Sequence, residues 1–348
     1  MPAHDAGTAA LTYSHAAPPE PGTATEVAPG VKWLRMPLPF ALDHINLWLL
    51  DEGDGWTIVD SGLNTETTKQ LWGEIFERAL EGKPVKRLLV THFHPDHMGL
   101  AGWLTETLQI PLWCTETEWL FARLLSLDET EGFMKNSLDF YWRTGMDEAT
   151  RAVFAGRGNP YSKRVTPIPY HFKRIADGQE IQVGRQRWRV IVGRGHAPEH
   201  ACLYAPELDV YIAGDQVLPK ISPNVSLWPQ EPEADPLACY LATLATLKRA
   251  VPESAFVLPS HGLPFRGLHR RIDQLATHHQ ARLDELEAAC DVPRTAAEIV
   301  PVLFRRKLDA HQLGFAIGET LAHVQHLVNL GRLSRGTRAD GVYTYRRI

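Results

Sequence analysis

The chain has 348 residues, of which 44% are hydrophobic, so it can bury one large core and a smaller second unit. Its formal net charge of -5 at pH 7 argues against a nucleic acid or an anionic membrane surface as partner and favours a small-molecule substrate. No apolar run approaches the roughly 20 residues of a membrane helix, and the four cysteines form no C-x-x-C pair, so the sequence predicts a cytoplasmic protein.

Residues 1–30 are rich in Ala, Pro, Thr and Gly and lack the apolar stretch of a secretory signal, which predicts a flexible tail. Two strand-like segments follow at 45–50 and 56–59, separated by turn-forming residues. A segment with helical spacing of apolar residues comes next, over 71–80, and a short buried strand over 87–91 follows it.

Four predicted strands share one design, because each runs directly into a potential metal ligand. These pairs are 87–91 with His92, 188–192 with His196, 210–213 with Asp215, and 255–258 with His261. Loops at strand ends are held by a rigid sheet, and functional residues concentrate there. The pattern therefore predicts one site at the edge of a sheet.

Residues 115–157 favour helix and are rich in aromatic side chains, which predicts a helical insertion. The aromatic residues either pack against the sheet or form the apolar wall of a substrate pocket. Three further helices are predicted over 266–290, 295–307 and 317–330, and residues 342–346 read as a closing strand.

The segment Thr91-His-Phe-His-Pro-Asp-His97 carries three imidazoles and one carboxylate within six residues, directly after a strand. Imidazole and carboxylate are ligands of Zn, Mn and Fe(II). His92 and His94, two residues apart in an extended segment, point the same way and can bind one ion. Asp96 and His97 are then free for a second ion. A surface histidine cluster or a helix cap at Asp96 is the alternative, and the three downstream strand-end ligands argue against it.

At these residues the sequence resembles the metallo-β-lactamase superfamily, whose hallmark is H-x-H-x-D-H. The resemblance covers about residues 31–265 and includes four further motifs in the same order. These motifs are Val59-Asp-Ser-Gly62, Gly195-His-Ala-Pro-Glu-His200, Ala213-Gly-Asp215 and Ser260-His-Gly262.

The resemblance implies an α/β fold, an αββα sandwich, with two divalent metal ions. Zinc is the favoured metal, and Mn and Fe are alternatives. His92, His94 and His196 would bind the first ion, and Asp96, His97 and His261 the second. Asp215 would bridge them, and Asp96 and Asp215 are the predicted catalytic residues. The metal-activated hydroxide would attack an ester, thioester or lactone.

Residues outside this ligand set have weaker roles in the prediction. The resemblance implies that Asp60 supports the metal-binding loop, and His200 is interpreted as a supporting residue and not as a ligand. Candidates for contact with the substrate are Phe40, His44, Tyr170, Arg194 and Asn224. Arg194 would either hold an anionic group or form a structural salt bridge.

The predicted domains are a metallo-β-lactamase domain over 31–267 and a small C-terminal domain over 268–348. The latter resembles the winged-helix extension of a branch that includes a lactamase-like endoribonuclease and hydroxyacylglutathione hydrolase-like proteins. Between residues 317 and 330 there is no Lys or Arg, so packing or formation of a homodimer is favoured over DNA reading. The sequence leaves three alternative functions open: a metal-dependent ribonuclease or phosphodiesterase, a mononuclear iron sulfur dioxygenase, and a catalytically silent binding protein.

Overall fold

The computed structural model describes residues 10–308 and 310–348. Two seven-stranded sheets form its centre, with strand orders β2-β3-β4-β5-β6-β7-β8 and β1-β14-β13-β12-β11-β10-β9. The first sheet comprises β2 Thr25–Ala28, β3 Val31–Pro37, β4 His44–Asp51, β5 Trp56–Val59, β6 Val85–Leu89, β7 Leu112–Cys114 and β8 Lys173–Arg174. The second comprises β1 Thr12–Tyr13, β9 Glu180–Val183, β10 Gln186–Gly193, β11 His200–Ala205, β12 Val210–Gly214, β13 Phe256–Pro259 and β14 Phe265–Arg266.

The sheets pack face to face, and strand β4 shows why the sequence requires this. Alternate side chains of a strand point to opposite faces. Trp48 and Leu50 lie in the apolar cluster between the two sheets, whereas Leu47 and Leu49 lie in the cluster under the helices. Both faces of β4 are therefore buried, as its continuous apolar sequence predicts.

Helices cover the outer face of each sheet, so the predicted αββα sandwich is confirmed. The helices of the described chain before residue 268 are α1 Glu66–Arg78, α2 Pro95–Met98, α3 Ala101–Leu108, α4 Glu116–Leu127, α5 Glu131–Trp142, α6 Glu148–Gly156 and α7 Pro236–Ala250. Helix α1 begins after Thr65, whose side chain accepts a hydrogen bond from the Thr68 backbone, and it buries Trp72 and Ile75 against the first sheet. The predicted helical segment 115–157 contains α4, α5 and α6.

The prediction of a flexible tail over residues 1–30 is wrong for two short segments. Strand β1 pairs antiparallel with β14, and β2 pairs antiparallel with β3. The segments are only two and four residues long, too short to show a strand pattern of their own, and each becomes a strand by hydrogen bonding to the edge of a sheet. Residues 1–9 of the predicted tail lie outside the described part of the chain.

The C-terminal region contains three helices and a hairpin: α8 Leu268–Ala289, α9 Ala296–Leu303, α10 Ala310–Asn329, β15 Leu333–Thr337 and β16 Tyr343–Arg347. Its apolar residues share one cluster with the second sheet, because Leu275 and Val324 belong to the same group as Tyr211 and Val257. The winged-helix interpretation and the domain division at residue 267 stay predictions. None of the helices in the described ranges combines the length and apolar character needed to cross a lipid bilayer.

Candidate metal centre

All seven predicted metal ligands meet at one edge of the two sheets. Each lies just beyond the end of a buried strand: β6 leads to the segment 91–97, β10 to His196, β12 to Asp215, and β13 to His261. Their side chains form two clusters. In each cluster one ligand atom per residue lies within 4.8 Å of the others, and the members are His92, His94, His196 and Asp215, and Asp96, His97 and His261.

The first cluster contains three imidazoles directed at one point, besides the Asp215 carboxylate. His92 Nε2 lies 3.0 Å from His94 Nδ1 and 3.1 Å from His196 Nε2. His92 and His196 are buried. Three imidazole nitrogens that converge in a buried space are typical of a transition-metal site.

The Asp215 carboxylate joins the two clusters. Its Oδ2 lies 3.4 Å from His196 Nε2 in the first cluster. Its Oδ1 lies 3.5 Å from His97 Nε2 and 3.3 Å from His261 Nε2 in the second. Asp96 Oδ2 completes the second cluster at 3.5 Å from His261 Nε2. One carboxylate therefore has an oxygen facing each cluster.

Buried atoms without partners show that these residues suit metal ions. His97 Nε2 and Asp215 Oδ1 are buried, and neither has a hydrogen-bond partner within the described chain. An unsatisfied buried polar atom costs about 1–3 kcal/mol, so such atoms at one point favour an occupant that can bind them. Nitrogen and carboxylate donors match Zn, Mn and Fe(II).

The other ring nitrogen of three ligands is held by an oxygen acceptor. His196 Nδ1 donates to Asn224 O at 2.7 Å, and His261 Nδ1 donates to His44 O at 2.7 Å. His97 Nδ1 donates to Asp60 Oδ2 at 2.8 Å. Each contact leaves Nε2 free to bind and fixes the direction of the ring.

Asp60 holds the metal-binding loop, in the role that the resemblance implies. Besides contacting His97, it accepts hydrogen bonds from the Thr91 backbone at 2.7 Å and the Thr91 hydroxyl at 2.9 Å. Its backbone adopts a φ of 65°, which is uncommon for a residue other than glycine.

His200 supports Asp215 and belongs to neither cluster. Its Nε2 accepts a hydrogen bond from the Asp215 backbone at 3.1 Å, and its ring stacks on His92 at 4.7 Å. Gly214 allows this close approach, since a Cβ there would lie 2.3 Å from the His200 ring and the residue has a φ of +52°.

Electrostatics distinguish the two clusters. Burial, together with the neighbouring His196, lowers the pKa of His94 to about 3, and burial holds the pKa of His92 well below its usual value. Burial also opposes the charge of His261, but the Asp215 and Asp96 carboxylates outweigh it and raise the pKa of His261 to about 10. The carboxylates near His97 likewise raise its pKa well above the usual value, against burial.

Glu118 is a buried residue of the site that the sequence reasoning missed. Its Oε2 accepts a hydrogen bond from the Phe93 backbone at 2.9 Å, and its Oε1 accepts one from the Glu199 backbone at 2.6 Å. Burial raises the pKa of Glu118 to about 7. One carboxylate therefore ties the loop of His92 and His94 to the loop that follows His196.

Replacing Glu118 by glutamine should weaken metal binding and lower the melting temperature. The amide has only one oxygen acceptor, so one of the two backbone N–H groups loses its partner, at a cost of about 1–3 kcal/mol. We expect a reduction of about 10–100-fold in metal affinity, as for other residues that orient ligands. The measurement is a zinc titration with a competing chelator. The matched control is Glu116→Gln in the same helix, because Glu116 is partly exposed and pairs with Arg174; equal affinities in the two variants would contradict the role.

The five predicted substrate contacts have different surroundings. His44 lies against His261, with ring centres 6.0 Å apart, and Asn224 offers its backbone oxygen to His196. Phe40 lies 5.3 Å below the guanidinium of Arg164. Two other predicted contacts lie at the surface: Arg194 is near Glu199, at 3.7 Å, and Tyr170 is 75% exposed. Trp228, which the sequence reasoning did not select, lies beside His94 with ring centres 6.4 Å apart.

Comparison with known proteins agrees with this geometry. The model of the metallo-beta-lactamase superfamily matches residues 41–289, and that of the metallo-beta-lactamase-like C-terminal domain matches 283–348. A beta-lactamase domain protein from Burkholderia ambifaria is 46% identical in sequence, with a TM-score of 0.91, over 97% of this chain and 98% of that one. A metallo-beta-lactamase family protein from Thermus thermophilus is 32% identical, with a TM-score of 0.80, over 93% and 100%.

A more distant relative is named for its activity. A linear primary-alkylsulfatase from a Pseudomonas species is 23% identical over 231 residues, which are 63% of this chain and 42% of the alkylsulfatase. The chain thus spans less than half the length of that relative. Since the family model covers more than half of the chain, the protein belongs to the metallo-beta-lactamase superfamily, and its two His/Asp clusters are suited to metal ions.

Proposed function

We propose that the protein hydrolyses an ester, thioester or lactone with the help of two divalent metal ions, zinc being the favoured metal. The observation that carries the proposal is the Asp215 carboxylate, which has one oxygen facing each of two buried ligand clusters. His92, His94 and His196 would hold one ion and Asp96, His97 and His261 the other, with Asp215 shared. When bound, such ions lower the pKa of water and polarise a carbonyl oxygen.

The residues themselves supply orientation, charge and proton transfer. Asn224, His44 and Asp60 fix the rings of His196, His261 and His97 through their Nδ1 atoms. Asp215 contributes the negative charge between the clusters. The Asp96 side chain is 20% exposed, against 10% for Asp215. We therefore assign Asp96 as the carboxylate that accepts a proton from the attacking water.

Activity towards a substrate panel tests the proposal. The panel contains an aryl acetate, an acyl-thioester, a lactone and a phosphodiester, each assayed before and after chelation and after return of Zn, Mn or Fe. We expect chelation to reduce acyl hydrolysis by more than about 100-fold, because the ions supply several kcal/mol of the rate enhancement. Absence of metal-dependent turnover on every acyl compound would count against the proposal.

A second candidate is hydrolysis of a sulfate ester, favoured by the similarity to the alkylsulfatase. Adding an alkyl sulfate to the panel tests it, because sulfate release without acyl hydrolysis would favour this function. A single bound iron with oxygen consumption would instead indicate the dioxygenase alternative. The cytoplasmic location and the homodimer stay predictions from the sequence.

A further inference from the structure

A cavity of about 650 Å³ lies between the insertion helices and the C-terminal region. Three parts of the chain line it: helices α4 and α5 with the turn after them, the loop 227–233, and residues of α10, β15 and β16. Its volume is within the range of small-molecule binding sites. Side chains from regions far apart in sequence therefore enclose a space large enough for a ligand.

One loop forms a wall of both this cavity and the candidate metal centre. At the start of the loop, Asn224 O accepts the hydrogen bond from His196, and the Trp228 ring lies beside His94. Leu227 and Pro229, on either side of Trp228, line the cavity. The Leu227 backbone donates a hydrogen bond to Gly318 O at 3.0 Å, which fixes the loop against α10. A molecule in the cavity would thus lie one loop away from the clusters.

The cavity lining is apolar in part, because Leu124, Phe133, Phe140 and Leu321 contribute to it. Phe133 and Phe140 belong to helix α5, and no residue of this helix is fully buried. Apolar side chains that line an open space can be covered by an apolar ligand. This part of the cavity suits a hydrocarbon chain or ring.

The acidic residues of the lining already have partners. Asp139 pairs with Lys135 at 2.6 Å, and Glu233 pairs with Arg335 at 3.0 Å. Asp128 accepts hydrogen bonds from the backbone and hydroxyl of Thr130.

Arg143 is the cation of the lining that lacks an acidic partner. Its Nη1 donates to the Tyr343 hydroxyl at 2.6 Å. Among the described residues, no carboxylate forms an ion pair with it. A guanidinium beside a phenol is well suited to bind a carboxylate or phosphate. Asp128 likewise has no ion-pair partner among the described residues, but Thr130 donates two hydrogen bonds to it, so Arg143 is the charged group of the lining that is best placed to bind an anion.

We propose that this cavity binds the non-reacting part of the substrate, an apolar chain that ends in an anionic group held by Arg143 and Tyr343. The statement that this ligand is part of the substrate rests on the proposed function, whereas binding itself does not. The anion is a carboxylate or a phosphate, and the two are distinguished by using a probe of each kind.

Binding is tested by calorimetric titration of the purified, full-length protein with octanoate, octyl phosphate and the neutral octanamide. We expect at least one anionic probe to bind at least about tenfold more tightly than octanamide, the tighter one identifying the anion. Arg143→Gln should remove that preference. Ser137→Trp, which fills the cavity, should abolish binding of all three probes. Arg78→Gln is the control, since Arg78 is exposed on α1 and pairs with Glu74.

Two results would overturn the inference. The first is that Arg143→Gln and Ser137→Trp both bind the anions as tightly as the wild type does. The second is that the wild type binds neither anion more tightly than octanamide. The variants are also assayed with an aryl acetate and an aryl monoester of suberate. We expect kcat/KM to fall at least tenfold for the suberate ester only. If neither ester is hydrolysed by the wild type, the proposed function fails while the calorimetric result still decides on the cavity.

Discussion

Asp215→Ala should fold but lose most of its metal and more than about 1,000-fold in kcat. The substitution removes a ligand atom from both clusters at once and leaves the imidazoles without the negative charge between them. A loss of about 4 kcal/mol of transition-state stabilisation corresponds to this factor. Metal content per chain and kcat are measured together on the same preparation.

Asp60→Ala is the matched comparison for Asp215→Ala. Asp60 contacts His97 and Thr91 but not the convergent ligand atoms. We expect it to reduce metal affinity about 10–100-fold and to lower the melting temperature, while excess metal restores most of the activity. An Asp215→Ala protein that kept two metal ions and near-native turnover would refute the assignment of the site.

Lowering the pH from 8.5 to 6 should release one metal ion before the other. Metal ions bind the deprotonated imidazole. The pKa of His261 is raised to about 10, so binding at the second cluster must displace a proton from His261 throughout this range, and the raised pKa of His97 acts in the same direction. The pKa of His94 is lowered to about 3 and that of His92 well below its usual value, so protons compete far less with the metal at the first cluster. Affinity at the second cluster therefore falls as the pH falls.

Elemental analysis after dialysis should give about two zinc ions per chain at pH 8.5 and about one at pH 6. A pH-stat titration with zinc at pH 7.5 should release protons, including one from His261. In His261→Ala the metal content should be about one at both pH values. Simultaneous loss of both ions in the wild type, or binding without proton release, would contradict the assignment.

The candidate site could be predicted from the sequence because its ligands follow buried strands. The apolar run 87–91 predicts a buried strand, and the histidines and aspartate after it predict metal ligands. A sheet brings the ends of such strands together. Glu118 could not be predicted in this way. It lies in the first turn of α4 beside Glu116, where acidic residues are common at the surface. Only the packing of α4 against the metal-binding loop shows that it is buried.

The short strands β1 and β2 and the cavity beside Arg143 were missed for a similar reason. Each depends on contact between segments far apart in the chain, such as the pairing of β1 with β14 or the approach of Tyr343 to Arg143. Periodicity within a segment carries no information about these contacts. The fold class, in contrast, depends on strands and helices that are long enough to show their own pattern.

The division of the ligands between the two sheets has a consequence for the stability of the chain. Loops of the first sheet supply His92, His94, Asp96 and His97, and loops of the second supply His196, Asp215 and His261. An ion held by residues from both sheets would connect distant parts of the polypeptide only while the chain is folded, so metal binding and folding would be coupled. Because the ligands are not assembled in the unfolded chain, free metal at 100 times its dissociation constant would add about 2.7 kcal/mol to the free energy of unfolding.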